Sequence, residues 1–115
     1  MPIPPDTQAL INRLNQELDE TEQEATEGLN LLRGVISLFP ENVILIEYFA
    51  YFNTAIIFVE TSRRQIQTTI ETISPSNVLL ELIQDAGEDL GSLLGQVLEN
   101  KIRGRRILNL LEELR

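Results

Sequence analysis

LIEYFAYFNTAIIFVETSRRQIQTTIETI, residues 45–73, is the stretch on which the fold turns. Its hydrophobic side chains recur at alternating steps of four and three: Leu45, Phe49, Phe52, Ile56, Val59, Ile66, Ile70 and Ile73, with Arg63 the one polar member. That spacing is a heptad stripe on one long α-helix, and the period-two alternation of a strand is absent despite the β-branched content. A second row, Glu47, Thr54, Thr61 and Thr68, is polar from end to end and faces water. The rows between change character: Ile44, Tyr51 and Phe58 give way to Gln65 and Thr72, while Ala50 and Ile57 give way to Arg64 and Glu71. The first half is therefore apolar on most sides, which demands neighbours on most sides and predicts that this helix lies innermost.

Upstream, a second stripe runs Ile11, Leu14, Leu18, Thr21, Ala25, Gly28, Leu32, Val35 and Phe39 until Pro40 removes an amide donor. This predicts helix 1 over about 7–39, some 50 Å long at 1.5 Å per residue, behind an extended leader 1–6 in which Asp6 serves as N-cap. Pro40-Glu41-Asn42 is short, so helix 2, over about 42–73, folds back antiparallel. In such a hairpin, residues whose numbers sum to about 81 face one another. Thr21, Ala25 and Gly28 then meet Val59, Ile56 and Phe52, small against large. Ser74-Pro75-Ser76-Asn77 ends helix 2 and offers caps to helix 3, expected over about 76–103, either continuous or broken near Gly87. A short amphipathic helix is expected over about 105–114, after Gly104. The predicted fold class is all-α: a long antiparallel hairpin, a third helix and a short C-terminal helix in one domain spanning 1–115, a three- or four-helix bundle.

Coverage decides the expected oligomer. Ile44, Tyr51, Phe58, Ala50 and Ile57 occupy two sides of helix 2, more than one further helix covers. Gly87, Gly91 and Gly95, four residues apart on helix 3, form a ridge without side chains that another helix could approach closely, unless Gly87 simply ends a helix. A homodimer is therefore expected, joined through Ile44, Tyr51, Ile57, Phe58, Gly87, Gly91 and Gly95 about a two-fold axis. The competing arrangement folds the terminal helix over the same surface as a monomeric four-helix bundle.

The chain contains no histidine and no cysteine, so the usual general base, thiol nucleophile and ligands of zinc, copper and haem are missing. No phosphate loop, nucleophile elbow or dinucleotide fingerprint is present, and Glu20 with Glu24 lacks the histidines of a di-iron motif. The expectation is a protein without enzymatic activity, metal or cofactor. Arg63 in a core stripe requires a carboxylate, and the hairpin register offers Glu22, an ion pair that would fix that register. The net charge is −9, with six acids between Glu17 and Glu27, which repels free nucleic acid. One segment runs the other way: Lys101, Arg103, Arg105 and Arg106 place four cations in six residues. It suits a polyanion, although it equally completes a helix end or meets the acids of helix 1 in another subunit.

Without cysteines and without a basic, apolar leader, the expected compartment is the cytoplasm. Residues 43–59 form the one membrane-like window, short and interrupted by Glu47, Asn53 and Thr54, so stable insertion is not expected. These features converge on a scaffold or adaptor acting through protein partners and self-association. Two other classes stay open: a nucleic-acid-associated regulator using 101–106, and a carrier of an apolar ligand around Tyr48, Phe49, Phe52 and Phe58.

Overall fold

The computed structural model describes residues 3–114 and has three helices, α1 (Pro5–Leu38), α2 (Val43–Ile73) and α3 (Leu80–Glu113), with no strand among the described residues. The chain is all-α and forms a rod of 59 × 18 × 16 Å. Residues 1 and 2 of the expected leader, and residue 115 of the expected domain, lie outside the described residues.

α1 starts earlier than its stripe suggests, because Pro5 sits at the first helical position, where its missing amide costs nothing. Asp6 lies inside the first turn rather than capping it, and there complements the helix dipole. At the other end the Phe39 amide bonds back to Val35 and Ile36, and Pro40 prevents continuation. Asn42 caps α2, its Oδ1 accepting from the Leu45 amide at 3.2 Å. Residues 74–79 then turn the chain. α3 begins at Leu80 instead of near 76, and neither Ser76 nor Asn77 caps it.

At the third helix one open alternative is decided and one expectation is corrected. α3 runs unbroken through Gly87 and Gly104 to Glu113, so the continuous reading at Gly87 holds and the short terminal helix over 105–114 is simply its continuation. A glycine inside a helix costs only about 1 kcal/mol, whereas continuing the helix buries Ile107 and Leu111 with Leu29 and Leu32. The bundle therefore has three helices.

α1 is the helix that the other two share: α2 and α3 each pack closely against it and approach each other less closely. This corrects the placement of α2 as innermost. The reason lies in small residues on α1. A Cβ added at Gly28 would fall 2.6 Å from Phe52 Cζ, so that glycine is what admits the Phe52 ring, itself 1% exposed. The core divides into one cluster around Leu14, Leu18, Val59, Ile66, Leu90 and Val97 and another around Ala25, Leu32, Leu45, Phe52, Ile107 and Leu111. In α2 the buried row is Leu45, Phe52, Val59, Ile66 and Ile73, flanked by Ala55 and Ser62, whereas Phe49, Ile56 and Ile70 are only half-buried.

Side-chain pairs fix the directions. Glu17–Lys101, Glu20–Lys101 and Glu24–Arg105 are separated by 84, 81 and 81 residues, so α3 runs parallel to α1. At that offset α1 runs past the last described turn of α3, and the first turns of α3 run past the start of α1. The hairpin tip accordingly exposes Leu38, Phe39, Val43 and Ile44, and the opposite end exposes Leu79, Leu80 and Leu82.

Candidate functional site

The cations of segment 101–106 divide by helical phase. Lys101 and Arg105 point at α1: Lys101 Nζ donates to Glu17 Oε1 at 2.6 Å and to Glu20 Oε2 at 3.0 Å, and Arg105 Nε donates to Glu24 Oε2. The bond from Lys101 holds the Glu17 carboxyl below its usual range, and the Glu17 and Glu20 bonds raise the Lys101 ammonium. Arg103 and Arg106 remain on the outside. Half of the segment proposed for a polyanion is thus engaged with the acids of helix 1, and it meets them within one chain.

Beside this ladder Tyr51 reaches from α2 to α3. Its hydroxyl lies 2.9 Å from the Asn100 carbonyl oxygen and 3.0 Å from Asn100 Oδ1, and donates to one of them at a time. Burial raises its phenol pKa. Among these residues, with Thr21, Glu24 and Phe52, the free space is about 10 Å³, the room of a single water molecule and far below a ligand pocket.

Arg63 sits at the rim between α1 and α2, not in the core. Its Nη1 donates to Glu22 Oε2 at 2.8 Å and its Nη2 to Asp19 Oδ1 at 2.8 Å, which raises the guanidinium pKa, through Glu22 first. With the side chain 36% exposed, both ends of the pair keep contact with water.

The seven residues singled out for an interface do not form one surface. Tyr51 and Phe58 are half-buried: Tyr51 bonds α3, and Phe58 packs on the core cluster that holds Leu90, Leu93 and Val97, so these two bridge α2 and α3 inside the chain. Ile44 and Ile57 are 57% and 62% exposed, on different sides of α2. Gly91 and Gly95 are exposed and Gly87 half-buried, and no atom lies within 4 Å of a Cβ placed at any of the three. No helix of this chain uses the glycine ridge.

What sequence reasoning missed is a second heptad stripe on α2. Val43, Ile46, Ala50, Asn53, Ile57, Glu60 and Arg64 alternate in steps of three and four, and all seven are exposed. The spacing was present to be read. The stronger inner stripe masks it, and its two rows, Val43, Ala50, Ile57 and Arg64 on one side and Ile46, Asn53 and Glu60 on the other, form one seam only when read together. At its hairpin end the stripe borders an open apolar groove of about 420 Å³ between α1 and α2, lined by Arg33, Ile36, Ser37, Ile46 and Phe49. α2 is also long and apolar enough to cross a membrane by length and composition, and of its apolar window only 22% is buried in the bundle. Among the described residues no three acidic, histidine or cysteine side chains gather as a metal site. Comparison with protein-family models, with curated proteins and with solved structures finds no match to this chain.

Proposed function

We propose that this protein is a non-enzymatic helical scaffold that works by protein–protein contact, first of all with itself as a homodimer. The observation that carries the reading lies on α2: it is the most apolar helix of the chain, yet Val43, Ile44, Ile46 and Ile57 within its apolar window stay exposed. Exposed Val43, Ile46 and Ile57 lie along one side of α2, and Leu38, Phe39 and Ile44 are exposed at the hairpin tip; apolar side chains left uncovered in this way support an interaction surface. The ionic ladder along α1 and the small space at the centre of the bundle support a structural role for its polar residues.

Light scattering on the chromatographed chain at low micromolar concentration tests the proposal. The expected mass is twice the 13.1 kDa of one chain. Ile57→Glu is expected to halve that mass without loss of helicity, because Ile57 contributes nothing to the core. A native chain that stays at 13.1 kDa up to about 100 μM, the weak limit of a useful homodimer, overturns the self-association.

A further inference from the structure

We infer that the outer stripe of α2 seats the α2 helix of a second copy, antiparallel, about a two-fold axis passing between Ala50 and Asn53; this rests on the dimeric reading above and gives it a surface and a register. The stripe repeats every seven residues and lies opposite the buried row Leu45, Phe52, Val59, Ile66 and Ile73. α2 thus carries a second heptad-spaced stripe, apolar at Val43, Ile46, Ala50 and Ile57, and the chain itself fills only the inner one.

Self-complementarity selects a second copy as the occupant. In the antiparallel alignment that places Ile46 against Ile57, the same symmetry sets Ala50 against Asn53 and Val43 against the aliphatic stem of Glu60. The layers nearest the axis then hold two small side chains and two amides.

Charge decides the direction. A parallel pair would stack Glu60 on Glu60 and Arg64 on Arg64, like charges in the same layer. The antiparallel pair instead carries Arg64 to the turn of the other copy, beside Phe39 and Glu41. Neither Arg64 nor Glu41 takes part in an ion pair among the described residues, so both are available to this contact. From Val43 to Arg64 the seam is about 32 Å long.

Because the native chain has no cysteine, single Thr54→Cys and Gln65→Cys variants can each carry one nitroxide. Both positions are exposed and neither belongs to the seam. Pulsed electron resonance should find the Thr54 labels within about 25 Å of each other and the Gln65 labels about 40 Å apart, as a helix rise of 1.5 Å from an axis at residues 51–52 requires. A dimeric mass with both distances short would mean a parallel pair, and one with the Thr54 labels far apart would mean another surface. Either result overturns the inference and leaves the dimer standing. A monomeric mass without dipolar coupling overturns both, as does a monomer that floats with phosphatidylcholine vesicles, which would give the stripe to lipid.

Discussion

Gly28 is the residue at which the packing is tightest. Adding a methyl there drives it into the Phe52 ring, and Phe52 is held by Ala25, Ala55 and Gly104 around it. Gly28→Ala should therefore destabilise the chain by about 1–3 kcal/mol, although alanine is the better helix former by about 1 kcal/mol. Gly91→Ala and Gly95→Ala meet open space and should stabilise it by about 0.5–1 kcal/mol each. Urea denaturation measures all three, and a neutral Gly28→Ala would contradict the close approach of α2. Sequence made the first of these positions legible, since the hairpin register alone brings Gly28 to Phe52. It left Gly87 open and misled at Gly104, because local propensity places helix ends at glycines and carries no information on the burial of Ile107 and Leu111 that keeps α3 continuous.

Among the elements, α1 takes the role first assigned to α2. The number of apolar rows on a helix says how much cover it demands, not how much one chain supplies, and α3 packs closely on α1, where Lys101 and Arg105 meet the acids of that helix. Glu17, Glu20 and Glu24 lie one turn apart opposite Lys101 and Arg105, an arrangement that the positions of the charges contained but that no local pattern revealed until the direction of α3 was known. The ladder has a pH signature. Glu17 titrates below the usual glutamate value near about 4.3, so its contribution is complete above that value and disappears as pH falls through the lower folded one. Lys101 titrates above the usual lysine value near about 10.4, so its share is complete below that value and disappears as pH rises through the higher folded one. Lys101→Met should lower stability at pH 7 by about 0.5–1 kcal/mol and move the acid unfolding midpoint upward. An unchanged acid midpoint by circular dichroism would contradict the pairing. Tyr51→Phe, which removes the bond to Asn100 and leaves an acceptor without its donor, should cost about 1 kcal/mol in the same assay.

For the whole molecule the proposed dimer sets charge against burial. Each copy carries a net charge of −9, so two copies repel at long range, and in the proposed dimer the outer stripes of α2 offset this at contact. Raising sodium chloride from 50 to 500 mM should therefore tighten the dimer by roughly three- to tenfold, screening the repulsion more than it weakens the two Arg64–Glu41 pairs. Sedimentation equilibrium at the two salt concentrations reads this directly, and a dimer that loosens in salt would show that ion pairs rather than apolar burial hold it. The most direct examination of the uncovered α2 face is hydroxyl-radical labelling of the native chain at concentrations where it is dimeric. Ile57 and Ile102 are 62% and 63% exposed in the single chain, so they start on equal terms. If the outer seam of α2 is covered by a second copy, Ile46 and Ile57 should label several times more slowly than Ile102 and Leu80; labelling of Ile57 at the same rate as Ile102 would contradict it.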